Sequence, residues 1–258
     1  MTDKHFGPYP ITAIKSLGRE LVVWVQAPAI QAAAQPGQFV MVGLGRPRAN
    51  FLKRAISIHA VREGEIALAI LQVGDVSRAL AGLQPGDEIE LIGPLGHGFD
   101  LDPKGGPVAM VAGGIGHAPF RFLAEGIKDK ASDLALYVGG RDKAALAGLD
   151  WAKAAGLEVQ VATEDGSAGT RGFVTALLED LDPDTRLYAC GPLPMLSAVQ
   201  RLALDKGLAC QLSLEGKMAC GVGVCLGCTC ARPDPRATYA KVCTDGPVFW
   251  AEEVDLHG

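Results

Sequence analysis

Residues 107–130 read PVAMVAGGIGHAPFRFLAEGIKDK, an apolar strand-like run followed by a glycine-rich turn and a helix-forming segment. The run at 107–112 is almost unbroken, as in strands of a parallel sheet that is covered by helices on both faces. Further strand-like runs alternate with helix-forming segments downstream, at 134–140, 157–163, 186–191 and 209–214. This alternation predicts a doubly wound α/β domain, which we bound at residues 102–213.

The chain before this region has a different pattern of apolar residues. Its apolar stretches are short, Pro36-Gly37 and Pro85-Gly86 turns separate them, and no long helical period occurs. The strand-like stretches are Leu21 to Val25, Phe39 to Leu44, Ala55 to Val61, Glu65 to Gln72 and Glu88 to Ile92. Residues 1–101 are therefore predicted to form a small antiparallel β-barrel or sandwich.

Composition excludes several classes of protein. The 258 residues include 24 Lys and Arg against 29 Asp and Glu, and 48% of them are hydrophobic, which is enough for two packed domains. The net charge of −5 does not favour nucleic acid or an anionic membrane as a partner. Neither a bilayer-spanning run of roughly 20 apolar residues nor a signal peptide is recognisable. We expect a cytoplasmic protein that binds neither nucleic acid nor membrane.

Five of the seven cysteines lie between Cys220 and Cys243, in a stretch too short for its own hydrophobic core. In a reducing cytosol such a group holds metal more readily than it forms disulfides. The spacing is C-x₄-C-x₂-C with a fourth cysteine after 14 residues, which is typical of plant-type 2Fe-2S clusters. The predicted metal ligands are Cys220, Cys225, Cys228 and Cys243, in a lobe at residues 214–258.

A structural zinc site is the alternative for these cysteines. Zinc sites commonly use paired C-x₂-C knuckles, and only Cys225 and Cys228 form such a pair. Cys230 does not fit the four-ligand spacing, so we interpret it as a structural neighbour. Cys210, in a predicted strand, is interpreted as a small buried apolar residue.

The glycine turn after the first α/β strand is typical of dinucleotide sites. Gly114 and Gly116 allow a tight turn and the close approach of a pyrophosphate, while Pro119 replaces the third glycine of the common fingerprint. A second turn, Cys190-Gly191-Pro192, ends a later strand, so both should open onto one crevice. We expect Cys190 to face a nicotinamide. Glycine-rich turns between a strand and a helix also occur for packing reasons, and an inert strand-end thiol is the alternative for Cys190.

Two stretches of the barrel region carry groups suited to a phosphate and an aromatic ring. Arg54 can hold a phosphate in a bidentate manner, and Ser57, three residues later, can hydrogen-bond a ring nitrogen. Gly74-Asp75-Val76-Ser77 opens a short helical turn that suits a second phosphate contact. A solvated Arg54 and an N-capping Ser77 are the alternatives, and residue chemistry alone does not choose between them.

In chain order, the motifs R-x-x-S, GPLGHGF, GGIGHAPF, CGPLPML and SLEGKMACGVGVCLGC with VCTDGPVF resemble the electron-transfer subunits of type B dihydroorotate dehydrogenase, within the ferredoxin reductase superfamily. The resemblance covers nearly the whole chain. It implies FAD on the barrel, with Arg54 near the pyrophosphate, Ala55, Ile56 and Ser57 along the isoalloxazine, and Val76 and Ser77 at the phosphates. It also implies NAD(H) over Gly114 to Pro119 and Cys190 to Pro192, and a 2Fe-2S cluster on the four cysteines.

The resemblance further implies an auxiliary chain of an oxidoreductase of pyrimidine biosynthesis. Electrons would pass from the FMN of a catalytic dihydroorotate dehydrogenase subunit, through the cluster and FAD, to NAD⁺. A flavin belongs between them because the cluster handles single electrons and NAD⁺ takes a hydride. The family pattern implies a heterotetramer of two catalytic and two electron-transfer chains.

No Asp, Glu or His is nominated as a catalytic acid or base, because hydride transfer itself requires only positioning and electrostatic tuning. The five histidines are predicted at the surface or in loops, with His117 either touching the dinucleotide or acting as a spacer. After the second α/β strand, Arg141 would welcome a 2′-phosphate and Asp142 would repel it, so a preference for NADH follows from the resemblance alone.

Two other functions are weighed against this one. The first is an NAD(P)H:ferredoxin-type oxidoreductase subunit that has the same cofactor modules. The second is a redox or zinc-stabilised regulatory module that binds a nucleotide without turnover.

Overall fold

The N-terminal part of the chain forms a closed antiparallel barrel in the computed structural model, which describes residues 4–45, 52–234, 236–237 and 239–256. Its strands are β1 (His5–Leu17), β2 (Glu20–Gln26), β3 (Phe39–Gly43), β4 (Arg54–Arg62), β5 (Glu65–Leu71) and β6 (Glu88–Leu95). They are ordered β1-β2-β5-β4-β3-β6, with short helices α1 (Pro28–Ala33) and α2 (Asp75–Leu80) between strands. The barrel prediction is confirmed.

Strand β1 was absent from the predicted strands. Gly7, Pro8 and Pro10 are depleted in strands and obscure its pattern, yet the segment alternates between exposed and half-buried positions and pairs with both β2 and β6. The barrel interior is filled by aliphatic side chains, among which Val23 and Ile58 are fully buried. Closing the barrel through β1 removes the free sheet edges.

The central part is a parallel sheet with helices on both faces. Its strands are β7 (Pro107–Gly113), β8 (Asp133–Gly140), β9 (Glu158–Thr163), β10 (Thr170–Arg171), β11 (Arg186–Cys190) and β12 (Cys210–Ser213), ordered β10-β9-β8-β7-β11-β12. The helices are α3 (Phe120–Ile127), α4 (Asp150–Ala154) and α5 (Leu193–Lys206). Ala109 and Val111 of β7 pack in the core that holds α5, and Val108 and Met110 in the core that holds α3. The doubly wound prediction is confirmed.

The helix expected between the strand-like runs at 134–140 and 157–163, over residues 142–155, is interrupted. Only a 3₁₀ turn at Lys143–Leu146 and the short helix α4 form there. Gly148 between them has a φ of +79°, in the left-handed region that ends a helix. The prediction of one continuous helix was therefore wrong at this point.

The C-terminal lobe shares the core of the parallel sheet. It contains a two-stranded ribbon of β13 (Thr229–Cys230) and β14 (Ala240–Lys241), and then β15 (Val248–Trp250), which pairs antiparallel with β12. Cys228, Val242 and Phe249 belong to the same buried cluster as α5. The lobe is therefore stabilised by packing against the core of the parallel sheet. The domain boundaries at 101/102 and 213/214 stay predictions.

Two histidines are buried: His59 lies on a strand and contradicts its predicted surface or loop position, whereas His117 lies in the glycine turn as predicted. His59 on β4 is 2% exposed, and His117 in the turn after β7 is 1% exposed. Both lie where the barrel meets the α/β region, because they contact groups on the opposite side of that junction. None of the helices in the described ranges is both long and apolar enough to cross a membrane.

Candidate redox site

A cavity of about 390 Å³ lies where the barrel faces the carboxyl ends of the parallel strands. The predicted flavin-site residues that line it are Arg54, Ala55, Ile56, Ser57, Gly74, Val76 and Ser77, and the predicted nucleotide-site residues that line it are Pro119 and Cys190. A single cavity therefore brings together residues from both predicted sites. Its mostly apolar lining, with the cation of Arg54 at one side, suits a planar aromatic ring with a charged tail.

The residues predicted to contact the FAD phosphates are held by local hydrogen bonds. The Ser77 hydroxyl oxygen accepts the backbone N–H groups of Val73 and Gly74, each at 3.0 Å. The N-cap of α2 is therefore Gly74, and Ser77 closes the first turn from its third position, which differs from the N-cap alternative considered for Ser77. Arg54 is exposed and donates to the carbonyl oxygen of Leu52 at 2.8 Å. Its guanidinium keeps further donors for an anion.

The two glycine turns are in direct contact with each other. A Cβ atom on Gly116 would lie 2.0 Å from the carbonyl oxygen of Cys190, and one on Gly113 would lie 2.6 Å from Pro192. Gly114, with a φ of +53°, faces open space. Gly191 and Pro192 line a second cavity of about 450 Å³ that shares Glu215 and its neighbours with the first. The turns at the ends of β7 and β11 thus border one crevice, as the topology predicts.

The two buried thiols outside the C-terminal group are neutral. Burial raises the pKa of Cys190 and of Cys210 to about 12 in each case. Cys190 lines the cavity although its side chain is almost completely buried. Cys210 packs in the core, as predicted for a small apolar residue. Neither thiol is available as a thiolate nucleophile.

The four predicted ligand cysteines are arranged as two neighbouring pairs. The backbone N–H of Cys225 donates to Sγ of Cys220 at 3.4 Å, and Cys243 lies beside Cys228, whose carbonyl oxygen accepts the N–H of Val242 at 2.9 Å. Within the described ranges, no three His, Cys, Asp or Glu side chains gather around one point as a single-ion site requires. Two thiols per metal is the arrangement that a cluster of two irons uses. The residues present therefore fit a 2Fe-2S cluster.

The electrostatics of the cysteine loop favour a thiolate at Cys220 and a neutral thiol at Cys243. Burial raises the pKa of Cys220, but amide donors of Cys225 at 3.4 Å and Val222 at 3.5 Å outweigh it and lower this pKa to about 6. Burial, followed by the adjacent Cys228 thiol, raises the pKa of Cys243 to about 12. Amide donors to sulfur also tune the reduction potential of an iron–sulfur cluster.

The cysteine loop is packed against the barrel beside the cavity. A Cβ atom on Gly221, which has a φ of +70°, would lie 2.6 Å from Cγ of Met41. Met41 on β3 is paired in register with Ala55 on β4, which lines the cavity. Met218, two residues before Cys220, also lines it. A cluster on the loop and a flavin in the cavity would therefore be separated by a few side chains.

Several cavity residues were not predicted from sequence. Phe39, Ile115, Ser213, Glu215 and Pro247 line the cavity from four separate segments. Partial burial raises the pKa of Glu215 above its ordinary value. The SLEG motif that holds Ser213 and Glu215 was visible at the start of the cysteine lobe, but only the fold brings it to β4.

The end of β8 shows how the opposed charges of Arg141 and Asp142 are arranged. One carboxylate oxygen of Asp142 accepts the backbone N–H of Ala145 at 3.0 Å, and the other accepts two guanidinium N–H groups of Arg141 at 3.1 Å. Hydrogen bonds from Arg141 and Ala145 lower the pKa of Asp142. The cation of Arg141 is thus already paired.

Comparison with protein families matches residues 215–255 to the iron-sulfur cluster binding domain of dihydroorotate dehydrogenase B and residues 110–201 to the oxidoreductase NAD-binding domain. The dihydroorotate dehydrogenase B (NAD(+)), electron transfer subunit of Caldanaerobacter subterraneus subsp. tengcongensis is 41% identical over 222 residues, 85% of this chain and 86% of its own length. The subunit with the same description from Geobacillus thermodenitrificans is 40% identical over 228 residues, 86% and 87% of the two lengths.

Among solved structures, an NADH-dependent reduced ferredoxin-NADP oxidoreductase studied for flavin-based electron bifurcation has a TM-score of 0.83 and 27% identity, and the alignment covers 96% of this chain and 90% of that one. The sequence relatives and the family models agree with the arrangement of barrel, nucleotide sheet and cysteine lobe. The chain belongs to the family of dihydroorotate dehydrogenase B electron transfer subunits.

Proposed function

We propose that the chain transfers electrons between a catalytic dihydroorotate dehydrogenase subunit and NAD⁺, through a 2Fe-2S cluster and FAD, in pyrimidine biosynthesis. The observation that carries this proposal is the shared cavity, whose lining comes from β4, from the glycine turn after β7 and from the segment that leads into the cysteine loop. The flavin-based oxidoreductase of similar fold supports a flavin at this position. The NAD-binding and iron–sulfur family matches support the other two cofactors.

The proposed cofactor-binding residues form three neighbouring sites, one each for FAD, the dinucleotide and the cluster. Arg54 and the first turn of α2, with Val76 and Ser77, would hold the FAD phosphates, and Ala55, Ile56 and Ser57 would border its ring. When bound, FAD supplies the exchange between single electrons and a hydride. Gly114, Gly116, Pro119 and Cys190-Gly191-Pro192 would hold the dinucleotide, and Cys220, Cys225, Cys228 and Cys243 would hold the cluster.

The names of the relatives imply a catalytic partner chain. We propose the FMN-containing dihydroorotate dehydrogenase subunit, in a heterotetramer of two catalytic and two electron-transfer chains located in the cytoplasm. Co-expression of the two chains tests this. Stable co-purification with NAD⁺-dependent formation of orotate is the expected result.

An NAD(P)H:ferredoxin-type oxidoreductase subunit is the second candidate, because the oxidoreductase structure of similar fold covers 96% of this chain. It predicts rapid reduction of an added ferredoxin by NADH or NADPH and no stable complex with the dihydroorotate dehydrogenase chain. Measuring both acceptors with the same preparation separates the two functions.

Asp142→Asn should shift the preference for NADH towards NADPH. Asparagine preserves the N-cap on Ala145, whereas loss of the carboxylate frees Arg141 for a 2′-phosphate and removes a repelling charge. The kcat/KM ratio of NADPH to NADH should rise about tenfold, the scale of one charge-assisted hydrogen bond. Arg141→Ala added to this variant should cancel the gain. An unchanged ratio in Asp142→Asn would show that the ribose does not reach this turn.

A further inference from the structure

Three buried polar side chains at the junction of the barrel and the nucleotide sheet have no role in the electron path described above. Glu20 begins β2, His59 lies on β4, and His117 ends the glycine turn after β7. They are 4%, 2% and 1% exposed, respectively. Buried polar groups are costly unless hydrogen bonds satisfy them, so their contacts identify what they hold in place.

His59 connects β4 to the glycine turn. Its Nδ1 lies 2.7 Å from the carbonyl oxygen of Ala118, and because a carbonyl oxygen only accepts, Nδ1–H is the donor. Burial lowers the pKa of His59 to about 3, so the ring is neutral and its proton stays on Nδ1. Ala118 lines the cavity, and His59 follows the cavity-lining Ser57 by two residues. One hydrogen bond therefore links the strand of the flavin site directly to the turn of the nucleotide site.

Glu20 and His117 form a second link across the same junction. Nε2–H of His117 donates to the Oε2 carboxylate oxygen of Glu20 at 3.1 Å. A Cβ atom on Gly148 would lie 2.4 Å from both carboxylate oxygens, so the nucleotide region closes around a side chain of the barrel. Oε1 of Glu20 and Nδ1 of His117 are buried without a partner in the part of the chain that the structure describes. Apolar side chains of the same shape would make a less costly junction, so stability alone does not explain this pair.

We infer that His59 and the Glu20–His117 pair are positioning residues that set the distance between the nicotinamide and the flavin for hydride transfer. This inference rests on the proposed function. Both links end on the segment His117-Ala118, whose neighbours Ile115 and Pro119 line the shared cavity. Hydride transfer needs the reacting atoms about 3–3.5 Å apart, and a displacement of about 1 Å can slow such a step 100-fold.

The test uses His59→Phe, which keeps an aromatic ring but removes the donor, and His59→Asn, which keeps a side-chain N–H. Stopped-flow reduction of the FAD-loaded chain by NADH gives the limiting rate and the apparent Kd. We expect His59→Phe to lower the limiting rate about tenfold with an apparent Kd within about threefold of wild type, and His59→Asn to recover most of the loss. Equal rates in His59→Phe and wild type would overturn the inference.

Glu20→Leu and Glu20→Gln provide an independent pair. The leucine leaves His117 without an acceptor and should slow flavin reduction, whereas the glutamine keeps an acceptor oxygen and should slow it less. Trp151→Phe is the matched control. Trp151 packs against the His59 ring but takes part in neither the His59–Ala118 nor the Glu20–His117 hydrogen bond. A loss in Trp151→Phe as large as that in His59→Phe would assign the effect to packing and contradict the inference.

Hydrogen–deuterium exchange gives a readout that does not depend on turnover. The amides of residues 114–118 should exchange about tenfold faster in His59→Phe and at the wild-type rate in Trp151→Phe, because only the former loses a bond to the turn. Unchanged exchange in His59→Phe would contradict the inference. If NADH fails to reduce the flavin of the wild-type chain, the proposed function fails instead, and the two failures remain distinct.

Discussion

Replacing Cys228 with serine should abolish electron transfer to the catalytic partner and leave the oxidation of NADH by an artificial dye intact. Cys228 is 4% exposed and lies beside Cys243, so the serine removes one of the four proposed ligand sulfurs at a buried position. Because loss of an outer-shell partner already costs 10–100-fold in metal affinity, loss of a ligand should lower partner-dependent turnover more than about 100-fold. The flavin and nucleotide sites share no hydrogen bond with this thiol among the contacts described above.

Cys230→Ser is the matched control for this prediction. Cys230 lies two residues from Cys228, is half-buried, and is outside the four-ligand spacing. The Cys230→Ser variant should keep its iron, its sulfide and its turnover with the partner. The proposed ligand set would be wrong if Cys228→Ser kept two irons per chain, or if Cys230→Ser lost them.

Gly116→Ala should lower the rate of flavin reduction by NADH about 100-fold. The added Cβ atom would lie 2.0 Å from the carbonyl oxygen and 2.6 Å from the carbonyl carbon of Cys190, and a backbone group cannot move aside by changing a rotamer. The two glycine turns must therefore separate, which displaces the nucleotide from the flavin by a distance on the scale that costs two orders of magnitude. FAD and iron content should stay at wild-type levels, since their residues lie on other segments.

Gly126→Ala controls for the effect of adding a methyl group nearby. Gly126 lies in α3, directly after the turn, and its Cβ would meet ordinary contacts at 3.5 Å or more. A helical glycine replaced by alanine is expected to stabilise by about 0.5–1 kcal/mol. Stopped-flow kinetics and thermal unfolding of both variants check the pair. Wild-type rates in Gly116→Ala would mean that the turns do not constrain the nucleotide.

The sequence specified best those features that repeat or that sit at fixed spacing. Unbroken apolar runs predicted the parallel sheet, and the spacing of Cys220, Cys225, Cys228 and Cys243 predicted a four-cysteine group that the structure arranges in pairs. These signals are local, since a strand period or a loop that carries ligands is encoded within a few consecutive residues.

The features that sequence reasoning missed depend on contacts between distant segments. Pro8 and Pro10 hide β1, although its pairing with both neighbours closes the barrel. His59 and His117 are polar residues that would be exposed in isolation, and only the junction of two folded regions buries them. Pro247 joins the cavity from a position about 190 residues after Ser57. Contacts between residues so far apart in the chain depend on the topology, so no local sequence pattern predicts them.

The central claim is that the four paired thiols hold iron and sulfide beside a flavin that NADH reduces. Its most direct test is the absorption spectrum of the chain purified without oxygen, recorded before and after NADH, with assays for FAD, iron and acid-labile sulfide. We predict a brown protein with about one FAD, two irons and two sulfides per chain, and NADH should bleach both chromophores. A yellow protein that lacks acid-labile sulfide, or one that carries zinc in its place, would contradict the account.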